Sequence, residues 1–244
     1  MRAAARIRFV EEGRDVGSEA AVLRLDDAAV AAASACLDAH AAGRRVPRLF
    51  VLSAPSGTGK DAVLGRLRLQ VSRLHVAVAA TTRAPRKSEV DGVHYHFVSD
   101  AEFVRLRRDG ELLEHATYAG RWYGTPAAPV REALSRGEDV LLKIEVRGAA
   151  SVRETHPDVV MIFLAPAGID DLKDRLERAA AERGALDPDD IARRLDEARR
   201  EIACIPDYDY LVVNHLGRLD EAVRRIAAII EAERARVAPR PALA

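Results

Sequence analysis

Leu49-Phe50-Val51-Leu52-Ser53-Ala54-Pro55-Ser56-Gly57-Thr58-Gly59-Lys60-Asp61-Ala62-Val63-Leu64 is the most informative stretch of the chain. Leu49–Leu52 is a short, wholly apolar run of the kind seen in a parallel strand buried on both faces. A Gly-containing loop follows at once. From Asp61 to Val71 the apolar residues Ala62, Leu64, Leu67, Leu69 and Val71 then recur at helical spacing. Strand, loop and helix in succession is the setting that a phosphate-cradling loop requires. Its glycines let consecutive backbone N–H groups converge on phosphate oxygens, the helix N-terminus adds partial positive charge, and Lys60 supplies an ammonium to the transferring group. Two positions depart from the usual loop: Ala54 stands for its first Gly, and Asp61 stands for the hydroxyl that ligates Mg2+ after the lysine. The alanine is sterically mild. A carboxylate beside polyphosphate costs roughly 3 kcal/mol at about 5 Å and an effective dielectric near ~20, unless a cation lies between. Asp61 is therefore expected either to hold Mg2+ or to weaken nucleotide binding.

On both sides of this stretch the pattern repeats. His75–Ala80, Val140–Ile144, Val159–Leu164 and Leu211–Val213 read as strands, and Asp100–Arg108, Pro129–Arg136, Ile169–Arg183, Pro188–Ala203 and Asp220–Arg234 as helices. Such alternation predicts an α/β fold with a parallel sheet. Glu89–Tyr123, dense in short β-like pieces, glycines and aromatics, interrupts it and reads as a small inserted lobe. Residues 1–46 read as a separate unit, with β-like pieces at Arg6–Val10 and Ala21–Leu25. An Ala-rich helix follows from an N-cap at Asp26 to His40, with Gly43 as C-cap. No motif gives this extension a role. Residues 237–244, with two prolines, form a tail.

The chain has 244 residues, 48% of them hydrophobic, which suits one domain of ordinary size with an appendage. Its 38 Lys+Arg cancel 38 Asp+Glu, so no global field draws nucleic acid or a membrane surface, and any anion site must be local. No apolar run approaches the roughly 18 residues of a membrane span, and Met1–Arg8 leads to Glu11 and Glu12 instead of a signal-peptide core. A soluble, cytoplasmic protein is expected. Cys36 and Cys204 are too few for a disulfide framework and read as buried small apolar residues. Lysine is a rare choice here, occurring at Lys60, Lys87, Lys143 and Lys173 alone.

Beyond the loop come Thr81-Thr82-Arg83-Ala84-Pro85-Arg86, then Gly92-Val93-His94-Tyr95-His96-Phe97-Val98-Ser99, then Glu111–Gly124. Taken with the phosphate loop, these segments resemble guanylate kinase, the family that moves the γ-phosphoryl of ATP to GMP. The resemblance runs from about Arg48 to Glu233. It implies a P-loop NTPase-type parallel sheet flanked by helices, a GMP-binding lobe at about 80–125 and a helical lid at about 175–195, all within residues 47–236. It implies that Arg83 and Arg86 grip the GMP phosphate, where two guanidinium forks suit a dianion. Tyr95 and Tyr123 match the family's phosphate-binding phenols. Glu114 matches the carboxylate that accepts from guanine N1 and N2, with Thr125 as a hydroxyl on the same base and Glu145 on the neighbouring wall. Adenine, which offers an acceptor at N1, would be rejected by such a carboxylate. Ala54–Asp61 would bind ATP phosphates, with Asn214 bordering the adenine site. Lys60, Arg83 and the lid arginines Arg183 and Arg194 would neutralise the transferring group, with Arg175 and Arg178 as rivals for the lid role. Mg2+ would accompany ATP.

The sequence also departs from the family. Val140-Leu141-Leu142-Lys143-Ile144-Glu145 resembles a strand that carries two acids at alternate positions, but the first is Lys143. Residues two apart on a strand face the same way, so Lys143 and Glu145 should both point to the cleft. Asp61 gains an acid where Lys143 loses one, which suggests a compensating swap: Asp61 pairs with Lys143 or takes over a metal contact. Arg147 replaces the usual Gln or Glu, Ala79 a frequent Ser, and His215 the usual Asp after Asn214. These changes keep two alternatives open, a kinase for another phosphorylated acceptor and a catalytically silent binding module. Trp122 reads as packing, and His94, His96 and His115 lack metal-ligand partners.

Overall fold

Leu49–Ser53 (β1) is buried along its whole length, because strands flank it on both sides and helices cover both faces. The computed structural model describes residues 46–86, 89–118, 120–182 and 187–236, together with Val30, Ala31, Ser34, Leu37 and Asp38. The chain divides into two compact units, Met1–Arg45 and Val46–Ala244. In the first, the five described residues are helical and exposed. The expected pieces Arg6–Val10 and Ala21–Leu25, the caps Asp26 and Gly43, Cys36 and the tail 237–244 lie outside the described residues.

In the second unit β1 is the middle strand of a five-stranded parallel sheet. Its order is β2 (Leu74–Val76), β7 (Asp139–Lys143), β1, β8 (Val160–Pro166) and β9 (Tyr210–Asn214). Strand alternation sends Phe50 and Leu52 to one face and Leu49 and Val51 to the other. The first face packs on α1 (Lys60–Gln70) and α7 (Leu219–Arg234) through Val63, Leu64, Leu67, Val223, Ile226 and Ile230. The second packs on α3 (Ala127–Ser135) and α4 (Val146–Thr155) through Val130, Ala133, Ala149 and Val152. Each large apolar side chain buried here contributes roughly 1.5–3 kcal/mol. A third cluster, Leu172, Leu176, Ile191 and Leu195 among it, joins α5 (Ile169–Glu182) to α6 (Pro188–Ile202). At the lower edge of the sheet Asp139, 1% exposed, accepts from Arg48 N at 2.8 Å and Arg234 Nε at 2.7 Å. That carboxylate fastens the start of β7 to the end of α7.

The inserted lobe is a second sheet, in the order β4 (His96–Phe97), β3 (Ala80–Thr81), β6 (Arg121–Pro126), β5 (Leu112–Tyr118). Helix α2 (Asp100–Arg108) starts at Ser99, whose hydroxyl accepts from Glu102 N, and buries Phe103. Phe103 stacks on Trp122 at 5.7 Å, and Arg107 lies 5.2 Å from the same ring, so Trp122 is a packing residue as expected.

Three expectations need correction. His75–Ala80 is not one strand: Leu74–Val76 joins the main sheet and Ala80–Thr81 the lobe sheet, since the apolar run carries no mark of where the chain changes layer. Leu69 is 88% exposed and Val63 takes its place in the core, because the true stripe of α1 runs through Val63, Leu64 and Leu67. Cys204 is half-buried instead of buried, with Sγ 3.5 Å from Arg200 O. Helix α4 was not anticipated, because its buried face is Gly148, Ala149 and Val152, too small to register as an apolar period. Among the described residues no helix is long and apolar enough to cross a membrane.

Candidate active site

The phosphate loop leaves the C-terminal end of β1, the end of a parallel sheet where α/β proteins place their ligands. Gly57 and Gly59 have φ of 94° and 93°, the left-handed region that side chains avoid, and a Cβ on Gly57 would lie 2.7 Å from Leu176 Cδ2. Thr58 N donates to Pro55 O at 3.1 Å and closes the turn. Thr58 O accepts from Asn214 Nδ2 at 2.7 Å and Arg175 Nη1 at 3.3 Å. Arg175 also donates to Asn214 O at 2.5 Å and pairs with Asp171 at 2.9 Å. Asn214 and Arg175 thus hold the loop to β9 and α5. From α6, Arg194 Nη2 donates to Ser56 Oγ at 2.7 Å. Arg183 lies outside the described residues.

Glu114, 5% exposed, faces the loop from the lobe and accepts from Thr125 Oγ1 at 2.7 Å. Burial pushes its carboxyl up to about 7, against the opposing pull of the Thr125 hydrogen bonds. A Cβ on Gly148 would lie 2.6 Å from Glu114 Oε2, so the first turn of α4 must be glycine there for the carboxyl to fit. Tyr95 stands edge-on to Tyr123 at 5.9 Å, and burial raises its phenol to about 12, keeping it a neutral donor. Arg83 places its guanidinium 5.5 Å from the Tyr95 ring and forms a two-pronged pair with Glu89 at 2.8 and 2.9 Å. The Glu89 hydrogen bonds raise the Arg83 pKa. Glu89 also accepts from Arg86 N at 2.7 Å, so one acid organises both arginines.

Lys60, Tyr95, Glu114, Tyr123, Lys143 and Glu145 line one cleft between the phosphate loop and the inserted lobe. Lys143 and Glu145 face it together, as strand alternation predicts. Lys143 Nζ pairs with Asp61 Oδ1 at 3.0 Å. Partial desolvation works against ionisation of Asp61, whose side chain is still 79% exposed, but the Lys143 and Lys60 ammonium groups prevail and hold its carboxyl below the usual range. Behind Glu145 lies Glu201, 3% exposed; burial first and then the hydrogen bond to Glu145 push its carboxyl up to about 9. Arg83, Arg86, Thr125 and Arg194 are not among the residues that line this cleft; Arg83 reaches it through the Tyr95 ring and Thr125 through Glu114.

Gly148, Glu89 and Glu201 went unrecognised in the sequence. A glycine inside the first turn of a helix was the available signal for Gly148. An acid following Arg83 and Arg86 was that for Glu89. For Mg2+, the chemistry of the donors is the test. Asp61 offers a hard oxygen next to Lys60, and among the described residues no three metal-ligating side chains converge. One carboxylate without a cage suits an ion that arrives on nucleotide phosphates.

The guanylate kinase family model matches residues 46–233. A guanylate kinase of Thermus thermophilus is 48% identical over 189 residues, covering 78% of this chain and 83% of that protein. One from Frankia casuarinae is 46% identical over 182 residues, covering 75% and 96%. Among solved structures, guanylate kinase from Anaplasma phagocytophilum matches with a TM-score of 0.64 at 33% identity, over 79% of this chain and 88% of that one.

Proposed function

The chain belongs to the guanylate kinase family and moves the γ-phosphoryl of ATP to GMP; on that premise we propose how the residues of the cleft divide the task. The observation that carries the reading is the Glu114–Thr125 pair, which sets a buried acceptor opposite Lys60 in one cleft. Glu114 accepts from guanine N1–H and N2–H, and the Thr125 hydroxyl fixes its orientation. Adenine brings an acceptor to the same carboxylate and leaves it unpaired, a penalty that supports GMP over AMP.

Arg83, Arg86, Tyr95 and Tyr123 take the GMP phosphate, and Glu89 holds the Arg83 fork in place until it arrives. Glu145 borders the same wall. The loop Ala54–Asp61 cradles the ATP phosphates on backbone N–H groups, while Asn214 keeps the loop in shape. Lys60, Arg83, Arg183 and Arg194 spread the charge of the phosphoryl group as it passes between oxygens, with no covalent intermediate. Mg2+, when bound with ATP, supplies further charge neutralisation between the phosphate oxygens, and Asp61 is the residue to hold it. Segment 175–195 acts as a lid whose closure excludes water, residues about 80–125 form the acceptor lobe, and residues 1–46 are an appendage to the catalytic unit 47–236. Both substrates are cytoplasmic small molecules, which supports a cytoplasmic location. No finding favours a different acceptor or a silent binding module.

ADP release from Mg-ATP against GMP, dGMP, AMP, UMP, CMP and a phosphorylated ribose, with Lys60→Ala as blank, tests this reading. Turnover with GMP that disappears in Lys60→Ala is expected. Turnover with another acceptor but not GMP would refute the assignment of Glu114.

A further inference from the structure

Lys143 stands in the cleft without a role in the transfer as described. Its side chain is 10% exposed, and its ammonium touches the two halves of the site at once: 3.0 Å from Asp61 on the phosphate-loop helix and 4.2 Å from the ring centre of Tyr95 in the acceptor lobe. The two partners hold it differently. The stem is buried and the Tyr95 ring lies against the charge, which confines the ammonium to the cleft. Asp61 is 79% exposed, so the ion pair is of the weak, solvent-screened kind. A confined ammonium on a loosely held carboxylate is available to any stronger anion that enters. A phosphate dianion carries twice the charge of Asp61 and offers three acceptor oxygens.

We propose that Lys143 is a phosphate-positioning residue that changes partner during the reaction. Before substrate binds it neutralises Asp61; when GMP enters, it turns to the acceptor phosphate and releases the Asp61 carboxylate toward the Mg2+ carried by ATP. This rests on the reading of the cleft as a GMP kinase site. It makes the two substrates cooperative through one exchange: GMP frees Asp61, and Mg-ATP, by engaging Asp61, frees Lys143. Linkage requires the help to be reciprocal. The swap of charges at positions 61 and 143 thus does more than cancel; it stores a cation between the two phosphate sites.

Calorimetric titration of the full chain with GMP and with guanosine, without ATP, tests this on binding alone. Lys143→Met should weaken GMP about 10- to 100-fold, the range of one hydrogen bond to a charged group, and leave guanosine unchanged. Lys143→Arg should restore most of the loss. Asp61→Asn should tighten GMP several-fold, and the same change made in the Lys143→Met background should have little effect. A purely structural ion pair predicts weakening from both single variants, felt equally by guanosine; that result, or additive effects in the double variant, overturns the proposal. Asp61→Asn alters an exposed side chain, so its sign decides the matter even where Lys143→Met does not fold. Wild-type protein that binds no GMP would overturn the kinase-site reading itself, whereas wild-type binding with an indifferent Lys143→Met overturns only the partner exchange.

Discussion

Glu114→Gln separates what the buried carboxyl costs the fold from what it gives the reaction. Burial raises this carboxyl from an ordinary 4.5 to about 7. Between those values the folded chain keeps a proton that the unfolded chain has released. The contribution of this one group to stability is therefore greatest below pH ~4.5, falls as pH rises through the window, and levels off above ~7. At 1.36 kcal/mol per pH unit the fall is about 3 kcal/mol. The glutamine variant has no charge to desolvate, and its Oε1 can still accept from Thr125. Relative to wild type it should gain about 3 kcal/mol between pH ~4.5 and ~8.5. Urea unfolding followed by fluorescence of Trp122, the single tryptophan, reads this directly. The same variant loses the charged acceptor for guanine N1–H and N2–H and presents an N–H in its stead, so kcat/KM for GMP should drop about 100-fold or more. In wild type, GMP affinity should rise with pH up to about 7 and then flatten, since the carboxylate is the form that accepts. A stability gap that does not change with pH, or a variant that phosphorylates GMP normally, would refute the reasoning.

Other outcomes follow from single contacts. Gly148→Ala drives a methyl onto Glu114 Oε2 and should raise KM for GMP at least tenfold while ATP affinity, measured by thermal stabilisation, holds. Asp139→Ala removes the buried acceptor that Arg48 N and Arg234 Nε share at the sheet edge, and chemical denaturation should show a loss of about 3–5 kcal/mol with the kinetic constants of the surviving folded enzyme unchanged. Arg194→Ala removes the α6 guanidinium from Ser56 and should lower kcat far more than it changes KM for GMP in steady-state assays.

How legible each part was depended on how much pattern it carries. Strand β1, the loop and the helix after it are stated in period and glycine placement, because a strand buried on both faces must be continuously apolar and left-handed turns demand glycine. Strands β3 and β4 are two residues each, too short for any period, so their sheet could not be read. The adjacency of Asp61 and Lys143 followed from alternation on β7 and from the position after Lys60. Whether the acid would choose the lysine or a metal was not decidable without distances. Glu89 closing on Arg83 and Glu201 lying behind Glu145 are contacts between segments, and nothing in the local sequence of either partner announces them.

Arginine carries nearly all the positive charge of this chain, and four lysines remain: Lys60, Lys87, Lys143 and Lys173. Two of them, Lys60 and Lys143, share the cleft, while Lys173 lies 52% exposed on α5. Amine chemistry on this chain therefore meets only four lysine side chains, two of them in the cleft. Isotope-labelled methyl groups placed on these amines would give a spectrum of a handful of signals, two of which report on nucleotide arrival. A cleft that is ordinarily hidden among dozens of lysine resonances becomes visible here one amine at a time.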